Sequence, residues 1–472
     1  MIIIPILLAL FTWILILWLC EQHKHINVFE QMTLWFVCAL SLFVFELFLQ
    51  WLIFDKLSLL FPTISFVICL WLFIFKCIKT KWYRKEITEN IKWNYINIKN
   101  QFKSQKLWQK ILVCFFCIYA LVKCFIAFSI NLHMPTYDED AVTWRDLKTK
   151  VYTENKRLVL DKNSSEYLWS AYDRNLFAPL TDSFFLLADD GIKINQTNII
   201  SPIIYLLSAL VLFGILLRKW NLFFASLSNY IFTSIPFIFI HWFWSYFNFV
   251  SWVFMFCFLF YLIDQLLVDN KKIIIPLSLL WFLTTTIRNE SYIFMVVIIL
   301  CIYIYSYFLN KKKNFKQLIK NSWIFITLII WILCSKYSEH ILPEWTIMNF
   351  WWTDISNWTV STFFDNLFWK WLIKAILQQW FYHPDYNIIW ILFFVTLTYA
   401  ILKKVSYKKL VPFLIPFIIL LFASCTVLIY NYEWLWLITH YSFVRYSAIY
   451  IIFLVFLIIY TIYLIYENEV NK

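Results

Sequence analysis

The chain has 472 residues, 62% of them hydrophobic and 14% charged, with a formal net charge of +12. Apolar runs of about 20 residues recur throughout, each long enough to cross a hydrocarbon core of roughly 30 Å. Lipid forbids unpaired backbone outside helices and closed barrels, so the expected class is an all-α, polytopic membrane bundle with no soluble catalytic domain and no nucleic-acid partner.

In chain order, spans are expected near 1–20, 32–54, 57–77, 111–130, 199–217, 221–240, 246–264, 273–287, 291–309, 321–337, 386–402, 409–430 and 446–466, about thirteen in all. The first run, Ile2 to Cys20, lacks a basic leader and a small-residue cleavage site, and reads as a retained span. Residues 1–77 then form an N-terminal three-span module, 78–110 a basic connector, and 111–472 the main membrane core.

Lys and Arg are retained on the cytoplasmic side, which orients these spans. Segment 76–110 carries ten basic residues against Glu86 and Glu89, and is expected on the cytoplasmic side. It suits an amphipathic helix lying on anionic lipid, or equally a solvated linker. Arg218-Lys219, Lys271-Lys272, Lys311-Lys312-Lys313 and Lys403-Lys404 with Lys408-Lys409 mark further inner loops. The resulting topology places the N-terminus outside and the C-terminus inside. Loops 131–198, 338–385 and 431–445 face outward.

The first outward loop holds eleven acidic and eight basic residues. It opens on Tyr137-Asp138-Glu139-Asp140. Three adjacent carboxylates repel one another, so at least one should titrate above the free value of about 4 unless a cation is close. Such a group suits a general base toward an acceptor hydroxyl, and the oxygens equally suit a divalent cation. An acidic helix cap starting near Asp140 accounts for the same residues without chemistry. On that helix Arg145 and Lys148 share a face, as do Asp146 and Lys150. Basic groups here suit a lipid phosphate, although a solvated, salt-bridged helix accounts for the spacing by itself.

Further along, Arg288-Asn289-Glu290 lies between two apolar runs, where an ionisable triplet is costly and marks a candidate site. Arg288 can pair with a phosphate or with Glu290. Arg445 occupies the outer end of the last span as a second candidate phosphate ligand, with interfacial snorkelling as its plainer role. His133, His241, His340, His383 and His440 fall near outer boundaries without the spacing of a helical zinc site, so no metal ligands are assigned. The eleven cysteines lie in or beside apolar runs, and no disulfide is expected. Sequons stand at Asn163, Asn195 and Asn357. The spans are otherwise read as free of charge except near their ends, and no inverted repeat stands out. Both points weigh against a transporter or flippase.

Glycine occurs only twice, at Gly191 and Gly214, against roughly 33 for an average composition, while tryptophan occurs 27 times. Our hypothesis is that many of these tryptophans are UGA codons read as glycine by the source organism. A set of mostly UGG codons in the DNA eliminates it. Drift in a low-GC genome is the alternative.

The run Asp140-Ala-Val-Thr-Trp-Arg-Asp-Leu-Lys-Thr-Lys150 resembles the Asp-Ala-x-x-x-Trp-x-x-Lys-Ala-Lys motif of bacterial GT-C membrane glycosyltransferases related to the protein mannosyltransferase and aminoarabinose-transferase families. Ala178-Pro179-Leu180 resembles the Tyr-Pro-Leu that follows it. Arg288-Asn289-Glu290 resembles their Arg-Asn-Glu-Gly, with Ser291 in place of the glycine. Ser442-Phe-Val-Arg445-Tyr446 resembles their Ser-x-x-Arg-Tyr. Trp144 stands one place early relative to that pattern.

The resemblance covers roughly residues 111–466. It implies a cell-membrane enzyme with an outward-facing site that moves a sugar from a polyprenyl-phosphate donor to a glycan, lipid or protein acceptor, by direct displacement with inversion. Asp140, or Asp138, would act as base beside Glu139. Arg288, Arg445, Lys148, Lys150 and Glu290 would serve the substrates. No cofactor is required beyond the lipid-linked donor, with a divalent cation as an optional addition. An envelope-polysaccharide polymerase or ligase is the alternative enzyme.

Overall fold

The computed structural model describes residues 27–79, 81–133, 146–159, 177–188, 197–198, 200–236, 238–239, 247–268, 388–430 and 442–470, with isolated positions between 298 and 305. These residues are helical, and no strand occurs among them. The helices are α1 (Val28–Phe54), α2 (Leu60–Lys79), α3 (Lys81–Ser104), α4 (Leu107–His133), α5 (Leu147–Asn155), α6 (Phe177–Ala188), α7 (Ile200–Lys219), α8 (Leu222–Ser234), α9 (Phe247–Val268), α10 (Ile389–Leu402), α11 (Tyr407–Tyr430) and α12 (Ser442–Val470). Among the described residues four helical stretches are long and apolar enough to cross a membrane: Leu60–Lys79, Leu107–His133, Ile200–Lys219 and Ile451–Val470. The expected spans at 1–20, 273–287 and 321–337 lie outside the described residues, and 291–309 is described at isolated positions only.

Two helix boundaries differ from expectation for identifiable reasons. Helix α1 starts before residue 32 because Asn27 and Glu30 form a capping box. The Asn27 side chain accepts from the N–H groups of Phe29 at 3.1 Å and Glu30 at 3.0 Å, and Glu30 reaches back to the Asn27 N–H. Helix α8, expected to run to 240, ends at Ser234. Pro236 follows, and a proline lacks the N–H and disfavours helical geometry at the residue before it.

The chain divides into two compact units. The first comprises residues 1–234, 239–254 and 271–283, and the second residues 235–238, 255–270 and 284–472. In the first, α1 runs antiparallel to α7. The Asn27 amide donates to the Gly214 carbonyl, and Thr33 Oγ1 donates to the Leu207 carbonyl at 2.7 Å. Gly214 is required at this crossing. A Cβ there would lie 2.6 Å from Asn27 Oδ1 and 2.9 Å from the Glu30 backbone nitrogen, closer than real contacts allow.

Helix α8 returns antiparallel to α7, capped by Asn221, whose side chain accepts from the Phe224 N–H at 3.1 Å. It lies parallel to α4 through Trp108–Phe223, Phe116–Tyr230 and Tyr119–Tyr230 ring contacts. At one end of the unit, Gln101 of α3 accepts from the Leu222 N–H at 2.8 Å, beside the Arg218 end of α7. At the other, the α1–α2 turn meets the end of α5: the Leu57 N–H donates to the Lys156 carbonyl at 2.5 Å.

Within the second unit, α9 residues Phe256 and Phe260 pack on Phe413 of α11 and on Phe453 and Phe456 of α12. Trp390 and Phe393 of α10 contact Phe417 of α11. The turn after α10 is tied to the end of α12. Lys403 pairs with Glu469 at 3.1 Å, Lys409 pairs with Glu467 at 2.9 Å, and the Asn468 amide donates to the Lys403 carbonyl at 3.0 Å. The hydrogen bond that Lys403 donates to Glu469 raises the Lys403 pKa above its ordinary 10.5.

Candidate functional site

Loop 131–198 is described chiefly at α5 and α6, and α5 follows the acidic motif. Its sequence Leu147-Lys-Thr-Lys-Val-Tyr-Thr-Glu-Asn155 places Lys148 and Tyr152 four apart on one face, and both are buried together with Thr149. Lys150 and Glu154 lie on the opposite face and pair at 3.9 Å. Lys150 is four residues from both Asp146 and Glu154, and its ion pair is with Glu154. Asp146 is itself buried at the head of the helix. Lys148 and Lys150 do not share a surface: one is 4% exposed and the other faces solvent. The helix stops at Lys156, which adopts a left-handed φ of 52°.

Helix α6 carries the second motif. Pro179 sits in its first turn, where a missing N–H costs nothing. Thr181, Asp182, Ser183, Phe184 and Phe185 are all buried, so the helix is enclosed on every side. Phe184 stacks on Phe43 of α1 with ring centroids 4.9 Å apart. Thr149 Oγ1 of α5 donates to the Pro179 carbonyl at 3.4 Å. Two sequence motifs thirty residues apart are thus in direct contact.

The α5–α6 layer buries three ionisable side chains, Asp146, Lys148 and Asp182, each engaged by a neighbour. Leu180 to Phe185, with Asp146, Lys148 and Thr149, are all buried, so this layer is packed interior and not a solvated linker. Its rim is fixed to the α1–α2 turn by the Lys156 carbonyl and by Arg157, which lies 4.0 Å from Asp55.

Asp138, Glu139, Asp140, Arg288 and Glu290 lie outside the described residues. Arg445 falls in the first turn of α12, in the second unit. His133, at the end of α4, contacts the Ser129 carbonyl at 2.7 Å through Nδ1. Among the described residues no group of three His, Cys, Asp or Glu side chains could hold a metal ion. The described cysteines are free thiols. Comparison with protein-family models, curated proteins and solved structures gives no match to this chain.

Sequence reasoning missed three polar features. Arg218, read as part of a short basic loop, forms a two-pronged ion pair with the fully buried Glu30, at 2.8 Å and 3.1 Å. The Asn-x-x-Glu capping signature at 27–30 was available to locate that carboxylate. Glu46 and Lys123 correct the expectation that charge is confined to span ends. Glu46 lies nine residues before the Asp55 cap of α1, and Lys123 lies ten residues before the end of α4. The Lys123 ammonium sits 4.6 Å from the centre of the Phe239 ring and 5.8 Å from that of Tyr119. Both charges were visible as single ionisable residues inside apolar runs, which mark functional positions by default.

Proposed function

We propose that the chain is a GT-C-like membrane glycosyltransferase that transfers a sugar from a polyprenyl-phosphate donor to an acceptor at the outer membrane face. The observation that carries this reading is the contact between the Lys148–Lys150 run and Ala178-Pro179-Leu180, through Thr149 and the Pro179 carbonyl. The two segments were singled out separately for their likeness to one family's loop, and they pack together over a buried polar layer.

In this reading Asp140, or Asp138, takes the proton of the acceptor hydroxyl as its oxygen attacks the anomeric carbon. The sugar–phosphate bond breaks with inversion, and the electron pair leaves on the lipid phosphate. Arg288 and Arg445 stabilise that phosphate, as preorganised cations do for developing anionic charge. Lys148, buried in α5, holds the loop in shape. Lys150 contributes positive charge at its surface.

The test supplies labelled polyprenyl-phosphate sugar to the purified full chain. Transfer that is lost in both Asp138→Asn and Asp140→Asn supports the reading. Unchanged transfer in both variants removes the assigned base.

A second reading, a transporter or flippase, is favoured by one observation: Glu46 and Lys123 stand well inside apolar helices. It predicts movement of labelled lipid-linked sugar between the leaflets of protein-containing vesicles, with no covalent transfer.

A further inference from the structure

The seam between α1 and α2 holds a carboxylate whose charge has no visible compensation. Glu46 Oε1 accepts from Ser65 Oγ of α2, and the Gln50 amide nitrogen donates to Ser58 Oγ just before α2. Their other oxygens, Glu46 Oε2 and Gln50 Oε1, are buried without a hydrogen-bond partner among the described residues. The residues are one helical turn apart, so these two acceptors serve one face of α1. Among the described residues no Lys, Arg or His is paired with Glu46.

Depth makes this arrangement costly. Nine residues of helix separate Glu46 from the Asp55 cap, about 14 Å, or roughly half of a hydrocarbon core. An isolated ionised carboxylate in such surroundings is neutralised or paired. A water molecule satisfies hydrogen bonds but leaves the charge. Among the described residues the acceptors of the seam are oxygens: one carboxylate, one amide carbonyl and the Ser58 and Ser65 hydroxyls. Oxygen ligands select hard cations, and a single carboxylate balances a single positive charge.

We propose that the α1–α2 seam is a monovalent-cation site, in which one positive charge, a proton or an alkali-metal ion, binds Glu46 with Gln50 as the second oxygen ligand. The site is reached along α2, where Ser65 is only half-buried. Its occupancy couples the packing of α2 onto α1 to the ion or proton concentration. The inference is independent of the transferase reading, because its readout is stability and not transfer.

Other ionisable groups on the packed elements are Glu30 and Cys38 on α1, Cys69, Lys76, Cys77 and Lys79 on α2, Asp182 on α6, and Tyr205, Arg218 and Lys219 on α7. All are shared by the wild type and a Glu46→Gln variant, so the difference between the two isolates Glu46.

The experiment follows thermal unfolding of the full chain in lipid nanodiscs, as a function of pH from about 5.5 to 9 and of sodium chloride against choline chloride. Proton binding predicts a wild-type melting temperature that falls by about 2 °C or more as pH rises, with Glu46→Gln flat by comparison. Sodium binding predicts a rise of similar size in sodium chloride over choline chloride, lost in Glu46→Gln and reduced in Gln50→Leu. Curves for wild type and Glu46→Gln that run parallel under both series overturn the proposal. Should Glu46→Gln fail to fold, Gln50→Leu and Ser65→Ala carry the same comparison, and parallel curves for both overturn it equally.

Discussion

Helices α2 and α7 have twenty residues each and are both apolar enough to span a membrane, yet 6% of the apolar window of α2 is buried against 83% for α7. The difference lies in what surrounds each helix: α7 packs against α1, α4 and α8, and α2 against α1 and α3. On α7, Ile204, Tyr205, Leu212 and Ile215 are buried together with Ser208 and Gly214, and the α1 backbone approaches at Gly214. On α2, Ile64, Val67, Ile68, Trp71 and Phe75 are exposed. Hydropathy therefore identifies a helix that lipid would accept. Which of the two is surrounded by other helices is set by its tertiary neighbours, and the close approach at Gly214 marks one such contact.

The sharpest way to break this contrast is to remove the charge that closes α7 against α1. Arg218→Ala removes the cation paired with the fully buried Glu30, and should cost about 3–5 kcal/mol in equilibrium unfolding. Replacing both partners with leucine should recover much of that loss, because two matched apolar groups bury without penalty. A smaller effect is expected from Gly214→Leu. The side chain must displace Asn27 and Glu30, costing about 1–3 kcal/mol by the same measurement.

Thr149→Val removes the α5–α6 hydrogen bond and should cost about 1 kcal/mol, read as faster proteolysis within loop 131–198. On α2, Val67→Ala and Ile68→Ala should each stay within about 0.5 kcal/mol. A loss as large as that at Gly214 would show that α2 is covered in the native assembly.

The smallest effect concerns Lys403. Its pKa is raised by Glu469, so its contribution is complete below the ordinary lysine value of 10.5 and is lost as pH rises through the higher folded value. Alkaline unfolding of Glu469→Gln should lack that step.

Much of the helical pattern was legible, because apolar runs and basic breaks are local signals. The described helices α1, α2, α4, α7 and α9 to α12 overlap expected spans, with ends shifted by a few residues. What was not legible is non-local. Glu30 and Arg218 are 188 residues apart, and nothing near Arg218 in sequence distinguishes it from an ordinary basic loop residue. Burial also divides Lys148 from Lys150, since spacing places them on different faces without saying which face is covered. The contact of Thr149 with Pro179 was not legible, because no periodicity joins the two segments. Glu46 is the opposite case. A carboxylate inside an apolar run was plain in the sequence, but that one of its oxygens lacks a hydrogen-bond partner among the described residues was visible only in the structure.

The Glu30–Arg218 pair has a consequence for biogenesis. A ribosome adding about 5–20 residues per second needs about 10–40 s to synthesise the 188 residues between them. Throughout that interval the nascent α1 carries a carboxylate with its final partner still unmade. Stable seating of α1 must therefore follow the arrival of α7, so the first unit closes late, around its own middle, and not in the order in which its helices leave the ribosome.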